Sequence, residues 1–347
     1  MAAARELAEL AKLCETLPLP AGWSTPESFC ERTVIGDAAL ELVGLAARWD
    51  EQLDATGSAA DIGRVPVDRA YFELLERVSV LEAIKETKPR HELLNADGNR
   101  IGFCSNEIVF PVSPARASWS YSRSNGVAAG ATWSDACEAA SRELTERDRV
   151  LRSWYGETSP RALSLECSAL LTPLEPHYAF ERYVFPVGSA RSRSDLEVVG
   201  VFAFPLQTPV AFAYGLGAGA SLADALGKAE RECLQVAGFL WGEELPTHAP
   251  EPASTPGYHQ DFYLMPGMHA RLRSWLQGEH VRHGSGIEPI SERALPTSFV
   301  DLTPTHLRGR FAVAKAISSD ALALTFGRGH PRLKPSRSTT FAVHPIS

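Results

Sequence analysis

The stretch "GVAAGATWSDACEAASRELTE" at residues 126–146 returns without a gap, 89 residues later, as "GLGAGASLADALGKAERECLQ" at 215–235. Identities fall at Gly126/Gly215, Ala129/Ala218, Gly130/Gly219, Ala131/Ala220, Asp135/Asp224, Ala136/Ala225, Ala140/Ala229, Arg142/Arg231 and Glu143/Glu232. This constrains the fold more than any other feature, because the chain must build a glycine-rich turn and an acidic helix twice. Each helix opens on a capping-box signature, Thr132 with Asp135 and Ser221 with Asp224. Shared ancestry accounts for the small residues. It accounts less well for the carboxylate kept at Glu143 and Glu232, or for Glu146 facing Gln235.

A third helix carries the same spacing. In "VDRAYFELLERVSVLEAIKET", residues 67–87, an offset of 70 aligns Ala70/Ala140, Glu73/Glu143, Glu76/Glu146 and Arg77/Arg147. Steps of three and four place each Glu-Glu-Arg set on one helical face. Two carboxylates on one face repel unless solvent, a cation or the arginine compensates them. A single ExxER on a solvated helix is ordinary, its ion pairs worth only ~0.2–0.5 kcal/mol. Three copies, two of them opening from matching turns, favour a shared site. Carboxylate oxygens are hard ligands suited to Mg2+, which serves most often by bridging substrate phosphates. Glu232 and Gln235 keep the spacing with one charge fewer and no arginine, so they read as a subordinate wall of that site.

Around these helices the pattern predicts a mixed α/β fold, with mixed sheets and several packed helices. Residues 1–60 read as a mostly helical N-terminal segment broken at "LPLPAGWSTPES", ahead of a main domain at 61–347. Strand-like runs occur at "NEIVFPVS", "SWSYSRS", "LSLECSALL", "AFERYVFPV", "EVVGVFAFP", "VAFAYGL", "SFVDLTP", "RFAVAKAIS" and "LALTFG". Residues 244–260, rich in Pro, Ser and His, read as a loop, and a short amphipathic helix is expected near 267–277.

Bulk properties exclude several functions. A net charge of −8 argues against a nonspecific nucleic-acid binder, and the local basic run with Arg191 and Arg193 reads as a solvated loop. No apolar run approaches the ~20 residues of a membrane span. At the N-terminus Leu7, Leu10, Ala11 and Cys14 share a face, with Glu6 and Glu9 interrupting the apolar pattern, so an amphipathic helix is expected and not a secretory signal. The six scattered cysteines suit reduced thiols in a cytoplasmic protein. His280 and His283 read as a surface pair, without the further ligands zinc requires. A P-loop motif is absent. "GLGAGA" fits the weak form of the dinucleotide fingerprint, but its repeat copy breaks the pattern and no suitable acid follows about twenty residues later.

The segment "SNGVAAGATWSDACEAASRELTERD" resembles the second signature of the YcaO family. "RAYFELLER" resembles its first, with Ala70 in place of serine, and "GLGAGASLADALGKAERECLQ" its third, with Lys228 at an arginine position. "FVDLTPTHLRGRFAVAKAISSDALALTFGRGHPRL" resembles a later family segment, with "SSDAL" where the family has "PGL". The resemblance spans about residues 62–335. It implies a YcaO-type fold that binds ATP in a Mg2+-rich pocket and activates a peptide backbone amide by phosphorylating its oxygen. In azoline-forming members a Cys, Ser or Thr side chain attacks the preceding carbonyl. ATP phosphorylates the resulting hemiorthoamide, and phosphate leaves with net loss of water.

By the same resemblance, Glu73, Glu76, Glu143 and Glu146 are implied as Mg2+ ligands. Arg64, Arg77, Asn125, Arg147, Glu232 and Gln235 are implied on the nucleotide side. The expected activity is an ATP-dependent cyclodehydratase acting on a ribosomally made precursor peptide. Its implied partners are a ubiquitin-activating-enzyme-like peptide-clamp subunit and a flavin-dependent azoline dehydrogenase. Thioamide or amidine formation is the rival chemistry, and a non-catalytic scaffold subunit the rival class. Family members of the azoline-forming kind often end in a proline-rich tail reaching the nucleotide. Here the ending "TTFAVHPIS" is expected to approach the active site through Phe341, Val343 and Ile346, with His344 and the Ser347 carboxylate near the reacting amide.

Overall fold

The computed structural model of the chain describes residues 2–50, 53–187, 196–278, 295, 297–331 and 343–347. Arg191, Arg193, His280, His283 and Phe341 lie outside the described residues. In chain order the elements are α1 (Ala2–Thr16), β1 (Glu27–Ile35), β2 (Ala38–Trp49), β3 (Leu53–Ile62), α2 (Val67–Lys85), β4 (Arg90–Leu94), β5 (Arg100–Ser105) and α3 (Asn106–Val109). Then follow β6 (Trp119–Tyr121), β7 (Val127–Gly130), α4 (Trp133–Trp154), β8 (Arg161–Ala162), β9 (Tyr178–Val184), β10 (Glu197–Pro205), β11 (Ala213–Gly219) and α5 (Leu222–Phe239). The chain closes with α6 (Pro256–Leu264), α7 (Pro266–Leu276), β12 (Ser298–Asp301), β13 (Ala312–Ile317) and β14 (Thr325–Gly327). The mixed α/β class forms as expected. In direction the sheets are uniform and not mixed, because every described strand pairing is antiparallel.

The chain divides into two compact units. The first comprises residues 1–110, 126–143 and 297–318. It contains a three-stranded sheet in the order β1-β2-β3 and a five-stranded sheet in the order β5-β4-β12-β13-β7. Its core gathers Leu10, Val43, Leu45, Tyr71, Leu74, Leu75, Val78, Val300 and Val313. The helical reading of residues 1–60 is corrected here: among the described residues of that range only α1 is helical, and β1, β2 and β3 follow it. "AALELVGLAARW" is rich in helix formers, which misleads a local reading. Burial decides otherwise: Val43, Leu45 and Ala47 share one face of the strand, Ala38, Leu40 and Leu42 share the opposite face, and all six are buried. "NEIVFPVS" likewise forms a helical turn, α3, and not a strand.

The second unit comprises residues 111–125, 144–296 and 319–347. It holds a four-stranded sheet, β11-β10-β9-β8, and the pair β14-β6. Phe185, Phe202, Phe204, Phe212, Tyr258, Phe262, Trp275, Leu322 and Leu324 fill its core. "LSLECSALL" forms no strand; β8 ends just before it. The loop expected at 244–260 ends earlier, where Thr255 caps α6 by accepting from the Tyr258 N–H.

Helix and strand approach unusually closely at several glycines, Gly57 and Gly215 among them. A methyl group on Gly57 of β3 would overlap the Ala70 carbonyl and Leu74 amide of α2. One on Gly215 of β11 would overlap the Ala229 carbonyl and Cys233 amide of α5. Gly215→Ala should therefore lose ~1–3 kcal/mol by overpacking against backbone that cannot move aside. Gly227→Ala, on α5 where a methyl meets only the Arg231 guanidinium at 3.5 Å, should gain ~0.4–1 kcal/mol from lower chain entropy. Urea unfolding of both variants checks the contrast, and equal midpoints would refute it.

Candidate active site

The close packing of strand on helix puts backbone N–H groups within reach of helix carboxylates. In the first unit the Ser58 N–H donates to Glu73 Oε2 at 2.7 Å. The Gly126 N–H donates to Glu143 Oε1 at 3.0 Å, and the Ala129 N–H to Glu76 Oε1 at 2.7 Å. Gly126 sits at φ 68°, the left-handed conformation glycine adopts freely, which makes the Asn125-Gly126 turn possible. In the second unit the Leu216 N–H donates to Glu232 Oε2 at 3.0 Å. Both capping boxes form as expected: the Asp135 N–H donates to Thr132 Oγ1, and the Asp224 N–H to Ser221 Oγ. The strand–helix arrangement thus places a carboxylate beside a strand amide in β3–α2, β7–α4 and β11–α5.

The first unit brings together Glu73, Glu76, Glu143 and Arg77. Arg77 bridges Glu73 Oε1 at 2.6 Å and Thr56 Oγ1 at 2.9 Å. Burial pushes the Glu76 carboxyl up to about 8, and the charges of Glu143 and Glu73 push it further the same way. The Ala129 N–H and Arg77 act against that rise without cancelling it. A carboxyl raised by neighbouring anions is a group that a cation would relieve. Among the described residues, however, no three carboxylate, imidazole or thiol groups form a ready-made metal cage. Each glutamate is held by its own backbone donor instead. The donor chemistry fits a hard divalent cation.

The second unit brings together Glu146, Arg147 and Glu232, along with Lys228. Glu146 is buried at 4% exposure, and the Lys228 ammonium lies 2.8 Å from its Oε2. Burial and then the charge of Glu146 raise Glu232 to about 7, while Lys228, the Leu216 N–H and Arg147 act to lower it. Gln235, one turn beyond Glu232 on α5, is half-buried, as is Asn125 before the turn. Lys228 was visible in the sequence only as the residue standing at the family's arginine.

Two expected site residues are placed differently. Arg64 is exposed and ion-paired with Asp68 at 2.6 Å on the first turn of α2. Its other charged neighbours are Glu9 and Asp61, so the structure gives it a local partner and does not join it to the glutamates. His344 belongs to the core of the second unit. Its Nε2 lies 2.6 Å from the Thr325 carbonyl, and its ring centroid lies 4.4 Å from that of His259 with the rings tilted by 57°. Burial, then the neighbouring His259, holds its pKa well below the usual imidazole range. That corrects its expected role as a proton acceptor at the reacting amide. The tail is packed: Val343 and Ile346 are buried, and the Tyr263 hydroxyl donates to the Val343 carbonyl at 2.6 Å. Ser347 donates its N–H to the Tyr214 hydroxyl at 2.9 Å, and the charges of Glu232 and Arg147 act on that hydroxyl. No sequence motif points to Tyr214.

These features define an α/β protein whose strand-docked helices present carboxylates suited to a cation-bound polyanion. A family profile described as YcaO cyclodehydratase, ATP- and Mg2+-binding, matches residues 98–319. The chain belongs to the YcaO family. Among solved structures it is similar to YcaO from Methanopyrus kandleri bound with AMPPCP and Mg2+. That likeness has 17% identity and a TM-score of 0.61, with 91% of each chain covered. It is also similar to the E. coli microcin synthetase McbBCD complex with pro-MccB17 bound, at 11% identity and TM-score 0.54, over 85% of this chain and 88% of that one. The same complex described without that peptide gives 12% identity and TM-score 0.52 over the same shares. At these identities the likeness establishes the fold. No protein of curated function matches the sequence.

Proposed function

We propose that the chain is an ATP- and Mg2+-dependent enzyme that activates backbone amides of a ribosomally made peptide, forming thiazoline or oxazoline rings from Cys, Ser or Thr. The observation that carries this reading is the cluster of Glu73, Glu76 and Glu143, held by the Ser58, Ala129 and Gly126 backbone N–H groups respectively, in a chain of a family described as ATP- and Mg2+-binding. ATP, when bound, supplies the phosphoryl group that turns the amide oxygen into a leaving group. In the first unit, Glu73, Glu76 and Glu143 are the proposed Mg2+ ligands, with the Ser58, Ala129 and Gly126 amides fixing their carboxylates and Arg77 orienting Glu73. In the second unit, Glu146 is proposed as a ligand of the same kind. Arg147, Glu232 and Gln235 are proposed nucleotide-side residues, with Asn125 before the turn.

The peptide-clamp subunit and the flavin-dependent dehydrogenase remain proposed partners. The similarity to a synthetase described as the McbBCD complex supports a multi-subunit assembly. A cytoplasmic setting is proposed from the six free cysteines. No helix among the described residues is long and apolar enough to cross a membrane.

Mass spectrometry tests the reaction. With precursor peptide, partner subunit, ATP and Mg2+, the peptide should lose about 18 Da per modified residue, the mass of the water eliminated. Glu143→Gln should abolish that loss while leaving the fold intact. A gain of about 16 Da, sulfur replacing oxygen at the activated amide, would assign thioamide formation instead. Unchanged peptide mass with the full assembly would refute the enzymatic reading.

A further inference from the structure

Glu146 and Lys228 form a contact that the proposed chemistry does not use. They lie on different helices, α4 and α5, and meet at 2.8 Å. The carboxylate is almost wholly buried, while the lysine side chain is 43% exposed. Glu232, one turn further along α5, lies close enough to Glu146 for the two carboxylates to repel each other. Arg147 also acts on Glu232. Lys228 therefore supplies positive charge to a pair of crowded carboxylates, from a flexible stem with an open route to solvent. An ammonium ion and a divalent cation compete for the same oxygens, and only one can occupy the direct position on Glu146.

We propose that Lys228 is an internal counter-ion that holds Glu146 until a divalent cation displaces it. This rests on the proposed Mg2+-dependent reading and adds a control to it. The lysine offsets part of the repulsion between Glu146 and Glu232 when no metal is present. The same contact weakens binding of a free cation, because the lysine must leave first. A nucleotide gives the departing ammonium a new partner in its phosphates, so the metal is favoured when it arrives with nucleotide. The lysine is a positioning residue in this scheme, acting on the reaction through Glu146.

The test is the Mg2+ concentration that half-saturates thermal stabilisation, measured without nucleotide and again with a non-hydrolysable ATP analogue. Lys228→Gln removes the competitor at a half-buried helix position and should lower the Mg2+-only midpoint about tenfold, the scale of one charge-assisted hydrogen bond. Lys228→Arg keeps the charge and should stay near the parent midpoint. Glu146→Gln placed in the Lys228→Gln background should cancel the gain, which separates competition at Glu146 from a general change in surface charge. With the analogue present, the advantage of Lys228→Gln should shrink or reverse. A Lys228→Gln midpoint equal to or higher than the parent overturns the counter-ion role. If the parent is still stabilised by Mg2+ with the analogue, the functional reading survives that result. If no variant responds to Mg2+ with or without the analogue, both are overturned.

Discussion

Glu76→Gln should leave the chain folded and lower Mg2+-dependent peptide modification by on the order of 100-fold, the scale expected when a charged ligand of a catalytic cation is neutralised. The amide keeps an oxygen that can accept the Ala129 N–H, so the 2.7 Å contact of the parent has a replacement. What disappears is one negative charge among Glu73, Glu76 and Glu143. The parent carboxyl stands at about 8, raised by burial and then by its two anionic neighbours. Its protonated form is therefore favoured by folding. The stabilisation that proton provides is complete below the ordinary carboxylate range and is lost as pH rises through about 8.

Metal has the opposite dependence, because it binds the deprotonated form. Apparent Mg2+ affinity should rise about tenfold per pH unit from pH 6 to 8 and level off above, the slope of one displaced proton. Glu76→Gln should remove that slope. In metal-free buffer it should also melt higher than the parent at pH 8.5, where the parent carries an uncompensated carboxylate, with the difference shrinking toward pH 5. Scanning calorimetry across pH, with and without Mg2+, reads both effects. A variant that binds Mg2+ with the parent's affinity and pH dependence would remove Glu76 from the site.

The parts legible in the sequence were those with strong local signatures. The Thr132/Asp135 and Ser221/Asp224 caps formed because a capping box is decided within four residues. β10 spans the residues of "EVVGVFAFP", a β-rich run buried on both faces. The Glu73/Glu76 pairing on one face of α2 followed from helical spacing, whereas the approach of Glu143 from α4 depends on tertiary packing. Hidden from the sequence were features decided by distant partners. β2 reads as helix until β1 and β3 pair with its two edges. The Lys228–Glu146 contact joins residues 82 apart in the chain, and no local pattern announces it. His344 looked available because histidines near neutral pKa often serve as bases. Its contacts with Thr325 and His259 show a core residue instead.

Asp148 completes the acidic run "ELTERD", yet its surroundings separate it from the glutamates. Arg152 Nε lies 3.0 and 2.9 Å from its two carboxylate oxygens, and the Leu322 N–H donates to Oδ1 at 2.7 Å. The guanidinium also reaches Glu157 at 2.7 Å and the Asp320 carbonyl at 2.6 Å. Asp148 is 3% exposed and Arg152 5%. The pair therefore clamps the segment "SSDAL", which stands where the family has "PGL", onto α4. Asp148→Ala would leave the arginine charge buried beside Glu157 alone and the Leu322 amide without its acceptor. The expected loss is ~3–5 kcal/mol, the usual cost of removing one partner of a buried ion pair. Asp148→Asn should lose less, because its amide oxygen can still accept from Leu322. Arg142→Ala breaks only the i,i+4 pair with the exposed Glu138 and should cost ~0–0.5 kcal/mol. Urea unfolding orders the three. Glu143→Gln should show the reverse profile, with activity lost and the unfolding midpoint kept. If Asp148→Ala unfolds within 1 kcal/mol of the parent (the upper range for a surface pair, ~1 kcal/mol), the clamp is not structural and Asp148 belongs with the glutamates after all.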